Sequence, residues 1–195
     1  MAKTPKTPAR SPATASNQRK PITIEVVRLL APTEAVYANV ARTFALDQVP
    51  FDDIRAATEA AIIAATGPLE GLVNERALDI HLQRITGSFV SSAHGAANFY
   101  SSRISDAKDA TMRLANDTRD EDADGPSGWE SRAQRARQFA ATAAQQAYSL
   151  LAAAEGALRA YEHLTGNTWK PYVADTPAAE GVERKSAAEE LGAFG

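Results

Sequence analysis

Two stretches of this chain carry apolar residues at alternating three- and four-residue steps for much longer than one ordinary helix needs. In the first, Leu78, Ile85, Phe89, Ala93, Ala96, Tyr100, Ile104, Ala107 and Leu114 form the stripe. In the second, Ala140, Ala144, Ala147, Leu151, Ala154, Leu158 and Tyr161 do so. A half-buried strand alternates every second residue, so this period specifies helix, and a stripe kept over many turns needs another helix along its length. Gly67 followed by Pro68 reads as a stop and a start, placing the first long helix from Pro68 to Asn116. At about 1.5 Å per residue it would be roughly 70 Å long. Gly87 and Gly95 interrupt it, marking a kink or a close approach of another backbone. The second long helix opens on Ser127 and Glu130, the S-x-x-E of a capping box, and closes on Gly166.

Two shorter helices are expected before these. Thr33 suits an N-cap and Glu34 a first turn, giving a helix over 33–47 with Val36, Val40, Ala41 and Phe44 on one side. Pro50 separates it from a helix over 51–66, whose apolar side holds Ile54, Ala61, Ile62 and Ala65. Upstream, "ITIEVVRLL" at 22–30 is rich in β-branched residues, and Ile22, Ile24 and Val26 alternate with Thr23 and Glu25. That alternation predicts a short strand or an extended segment lying across the helices or across a partner. A strand before two helices resembles the ribbon-helix-helix repressors, which would imply base reading from the strand, although Glu25 is among the outward residues.

The fold class expected is therefore all-α. It is a helical bundle with two long antiparallel helices in a coiled-coil-like hairpin, two shorter N-terminal helices, and disordered tails. Residues 1–21 form a basic, Pro/Thr-rich tail with Lys3, Lys6, Arg10, Arg19 and Lys20 and no acid. Residues 22–173 are the bundle domain, and 174–195 a flexible acidic, Ala/Glu-rich tail with a short helix around Lys185–Leu191. "NTWKPY" is expected to return Trp169 and Tyr172 onto the end of the last helix.

The 195 residues suffice for one domain, but aromatics are only 7% and alanine supplies much of the apolar content. A core of alanine offers little area per residue, so such a chain gains burial from close helix contact or from self-association. A net charge of −3 gives no basic field for nucleic acid outside residues 1–20, whose five charges would make only salt-sensitive contacts. Cysteine is absent, which excludes disulfides, thiol catalysis and thiolate metal sites. No apolar run is long enough for a transmembrane segment, and the N-terminus lacks a signal-like hydrophobic region, so a cytoplasmic protein is expected.

Little else looks like chemistry. Walker A, the dinucleotide-binding glycine pattern, the nucleophile elbow and H-E-x-x-H do not occur, and of the three histidines, His81, His94 and His163, the first two fall on different helix faces and are spaced against sharing a metal. The exception is "DEDADGPSGWE" at 120–130. Asp120, Asp122, Asp124 and Gly125 match the opening of a calcium loop, and the stretch resembles the EF-hand there. The closing Glu belongs at Ser131, and Glu130 comes one residue early. Asp120, Asp122, Asp124 and Glu130 are thus candidate ligands of a weak Ca2+ loop, the one cofactor the sequence suggests. The alternative is a solvated hinge, neutralised by Arg132, Arg135 and Arg137.

These features favour a non-enzymatic, self-associating scaffold or interaction protein, expected to be a homo-oligomer. In composition the chain is also similar to phasins, which are Ala-rich, cysteine-free and flanked by Pro/Lys/Thr/Ala-rich tails. That likeness would imply adsorption to an apolar granule surface. A third reading is a nucleic-acid accessory protein that uses the basic N-terminal arm.

Overall fold

A computed structural model describes residues 21–69, 71–116 and 128–171, and among these every regular element is helical. The helices are α1 (Ile24–Leu30), α2 (Glu34–Phe44), α3 (Phe51–Thr66), α4 (Glu75–Ala115) and α5 (Gly128–Thr165), with a 3-10 turn at Gly67–Leu69. The expected tails, the 185–191 helix and the carboxylates at 120, 122 and 124 lie outside the described residues.

The segment expected as a strand is instead α1. Ile24 and Val27 are buried, and Ala31 continues the side they start, whereas Val26 and Leu29 are exposed. The burial period is therefore three to four, and the apparent alternation at 22, 24 and 26 is incidental. Glu25 at the N-terminal end and Arg28 at the C-terminal end agree with the helix dipole. Thr23 helps hold the Glu25 carboxyl below its usual range by donating to it, with the Glu25 backbone and Arg28 adding to the effect. The segment does lie across the bundle, packing against Val90, Ala93 and Ala97 of α4 and Leu151 and Ala154 of α5. Without a strand, the repressor resemblance loses its basis.

Thr33 caps α2 as expected, its Oγ1 accepting from the Val36 amide. The helix ends sooner than expected, at Ala45, which takes φ 50° and sends its N–H to Ala41. Tyr37 fixes this turn by donating to the Asp47 carbonyl at 2.7 Å. α3 runs over the expected residues. α4 begins at Glu75, not at Pro68: the chain makes the 3-10 turn, passes Gly71 at φ +75°, and starts again where the Asn74 side chain accepts from Ala77 N at 2.8 Å. Its 41 residues span roughly 60 Å. Gly166, at φ +68°, donates to Glu162 O and ends α5 as expected.

α5 is the axis of the molecule. α4 lies along it in the opposite direction, since Asp79 and Gln83 near the start of α4 meet Tyr161, whereas Thr111 near its end meets Arg137. α2 and α3 pack on other sides of α5, and α1 lies across α4 and α5. Over 141–161 most of the helix circumference is buried, including Ala143, Ala144, Ala147, Ala152, Ala153, Ala157 and Ala160. Alanine serves here because each neighbour sits close, so many short contacts replace a few large side chains.

The closest approach involves Gly156, not the glycines of α4. A Cβ at Gly156 would run into the Arg55 carbonyl oxygen of α3 and lie 2.9 Å from Thr58 Cβ. At Gly95 nothing stands within 4 Å, and at Gly87 the nearest atom, on Trp169, is an ordinary 3.7 Å away. Trp169 thus returns onto α4 beside Gly87, its Nε1 donating to the Gln83 carbonyl at 3.4 Å.

Candidate interaction surface

Two sets of polar contacts and one aromatic cluster brace the body. Glu155 on α5 takes Arg28 of α1 at 2.8 Å and Arg55 of α3 at 3.8 Å, and Arg55 also reaches Asp52 at 2.7 Å. The Glu155 side chain is 17% exposed, so this bridge between three helices is only partly screened. At the far end, Tyr161 donates to Asp79 Oδ1 and accepts from Gln83 Nε2, both at 2.8 Å. In the middle, Tyr37 and Tyr148 stack with ring centroids 4.7 Å apart, and Phe51 leans on Tyr148 at 4.8 Å.

Tyr148 and Tyr161 are held in the protonated form. Burial raises the Tyr161 phenol above its usual range, and the hydrogen bond to Asp79 adds to it. Burial also raises Tyr148, helped by the charges of Glu34, Asp52 and Glu155. A phenol held protonated in this way braces helices.

Of the expected metal residues, Glu130 alone is among the described residues. Glu130 lies in the first turn of α5, and Asp120, Asp122 and Asp124 lie outside the description. Among the described residues there is no cluster of three or more His, Asp or Glu able to hold a metal. The arginines on this end of α5 make contacts among the described residues. Arg132 lies 4.7 Å over the Trp129 ring, with Arg113 at 5.4 Å; Arg135 donates to Ser131 O, and Arg137 to Thr111 Oγ1. His94 meets Asn98, His81 edges a groove, and His163 is exposed on the last turn of α5.

Among the described residues, apolar side chains are exposed at Val26, Leu29 and Val36, at Leu72, Val73 and Ile80, and on two further surfaces. α3 and α4 both pack on α5, and an open groove of about 460 Å³ lies between them, lined by Ala57, Ala61 and Ile62 of α3 and His81, Ile85 and Phe89 of α4. Ala61 and Ala65, expected to be covered, are exposed. The second surface is the arm, where α4 and α5 continue past the other helices. From 101 to 116 no side chain is buried, and from 128 to 140 only Ala133 is. Ile104, Met112 and Phe139 are exposed here, and Phe99 stands half-exposed at its base. Phe99 and Phe139 were missed by the stripe reading because each lies off the repeat that faces the partner helix. The available signal was a large aromatic on an otherwise small or polar side.

No helix among the described residues is long and apolar enough to cross a membrane. Compared with known proteins, the chain matches no family model, no curated protein and no solved structure.

Proposed function

We propose that this protein is a non-enzymatic helical scaffold or interaction protein that works by self-association, with the α4–α5 pair acting as a coiled-coil-like hairpin. The observation that carries this reading is the arm. Over the described residues 101–116 and 128–140 two long helices run together with one buried side chain, while Ile104, Met112 and Phe139 are exposed. A two-helix arm with so little interior gains stability when another surface covers it. Exposed apolar groups gathered on one part of a molecule mark sites of association.

The test is light scattering and sedimentation of the full chain across micromolar concentrations. A concentration-dependent dimer or larger assembly is expected. A monomer throughout would sink the reading. If that monomer adsorbed to a neutral oil emulsion, the surface-coat alternative would replace it. If instead it bound DNA in a salt-sensitive way lost on removing residues 1–20, the accessory alternative would.

A further inference from the structure

We infer that the pocket between the first turns of α2 and α3 binds a small aliphatic diamine or polyamine, with one ammonium at Glu34, another at Asp53, and the carbon chain over Tyr148. The inference does not depend on the self-association reading.

The pocket holds about 260 Å³ and is walled by α2, by residues 48–50 and by the start of α3, with Tyr148 of α5 beneath. It is built into the fold. Tyr37 of α2 and Gln145 of α5 both donate to the Asp47 carbonyl, at 2.7 and 3.1 Å, and so hold the loop from two helices. The Tyr37–Tyr148 stack and the ring of Phe51 fix the floor. A preformed site of this kind loses little order on binding. Tyr148 supplies the observation that points to a ligand. It is only 7% exposed. The hydroxyls of Tyr37 and Tyr161 each donate to a partner, but that of Tyr148 has no hydrogen bond among the described residues. Its oxygen is not sealed in the interior, so it opens on the pocket that Tyr148 lines.

Charge selects the class of ligand. Glu34, Asp52 and Asp53 line the pocket and no basic side chain does. Arg55 takes Asp52 at 2.7 Å, with its guanidinium 5.9 Å from the Phe51 ring centre, so a cation beside a ring and a carboxylate is already in use at the rim. Glu34 and Asp53 make no ion pair among the described residues. The two helix N-termini offset only about half a charge each, so the pocket stays negative. Among the described residues no three acids or histidines are placed to hold one metal ion, so a compact divalent cation does not match the spread of these charges. An extended cation does, with an ammonium at each end. Its methylenes suit the rings, Val49 and Pro50, and the Tyr148 oxygen can accept from one of its N–H groups.

Calorimetric titration of the full chain with putrescine at low salt tests this. One site per chain is expected, with a Kd below about 1 mM. n-Butylamine should bind about tenfold more weakly, because it lacks the second charge-assisted contact. Glu34→Gln and Asp53→Asn should each weaken putrescine binding about tenfold, and Tyr148→Phe, which keeps the ring stack, by about threefold. Glu75→Gln, at the start of α4, should leave it unchanged, since it lies more than a screening length away. Circular-dichroism melts check that each variant is folded. Saturable binding that falls in this order carries the inference. No saturable heat, or equal binding of n-butylamine, overturns it. Binding that survives the substitutions at 34, 53 and 148 belongs to the acidic stretches at 120–130 or 174–195 and overturns it too.

Discussion

Residues 128–140 and 141–161 belong to one uninterrupted helix and both contain alanine, yet their surroundings differ almost completely. In the later segment nearly every alanine is buried, because α1, α2, α3 and α4 surround it. In the earlier one only Ala133 is, because among the described helices α4 is the one that runs beside it. The comparison shows that an alanine-rich helix has no fixed inside. How much it buries depends on how many neighbours the rest of the chain brings to it. Where they are all present, a small core suffices. Where they are missing, the helix depends on local pairs such as Arg137 with Thr111 and on the rings and guanidinium groups around Trp129.

The sharpest way to test this contrast is to truncate one side chain in each region. Leu82 is 1% exposed and packs among Ile62, Ala157, Ala160 and Tyr161. Leu82→Ala should cost about 2–5 kcal/mol, the lost transfer energy plus a cavity that close-packed neighbours cannot fill. Met112 is 56% exposed, and Met112→Ala should stay within about 0.5 kcal/mol in dilute solution. Denaturant melts of both would settle it. Equal losses would mean that the arm is packed as tightly as the body.

Much of this architecture was readable from local chemistry. α3 occupies the expected residues, Thr33 caps α2, Gly166 ends α5, and the two long stripes did specify the two long helices. The failures have physical causes. A β-branched run was read as a strand because Ile22, Ile24 and Val26 fit one period while Ile24, Val27 and Ala31 fit another, and only the neighbours on α4 and α5 choose between them. The all-round burial of α5 was not legible, since a stripe template looks for one apolar face and alanine is compatible with any. Asn74 and the break before it were hidden by the Gly-Pro pair at 67 and 68, which carries its own start signal. Of the candidate interaction surface, the apolar side of α3 was legible, but not that Ala61 and Ala65 would be exposed. The candidate calcium ligands at 120, 122 and 124 fall outside the described residues.

A smaller effect tests why the body packs so closely. Gly156 faces the Arg55 carbonyl, and backbone cannot move aside as a flexible side chain can. Gly156→Ala should therefore destabilise by about 1–3 kcal/mol, despite the gain of up to 1 kcal/mol that alanine brings to a helix. Gly87→Ala meets Trp169 at an ordinary 3.7 Å and should be neutral or stabilising by up to about 1 kcal/mol. Thermal melts in which Gly156→Ala matched Gly87→Ala would show that α3 does not press on α5.

The smallest effect near neutrality comes from alkali, and it too should fall on the body. Burial raises the phenol pKa of Tyr100, Tyr148 and Tyr161, with nearby carboxylates adding to it at Tyr148 and Tyr161. A group whose pKa is higher in the folded state binds its proton more tightly there. Its contribution is fully present below the unfolded phenol value of about 10 and is lost as pH rises through the folded value. Stability should thus be insensitive to these three groups at neutral pH and fall only above about pH 10. All three lie in the body or at its edge, and residues 101–116 and 128–140 contain no tyrosine. Part of the phenolate absorbance should therefore appear only together with loss of helical ellipticity. Complete phenolate absorbance with the ellipticity intact would show that these rings are not held as tightly as their burial implies. The body would then be nearer to the arm than the comparison allows.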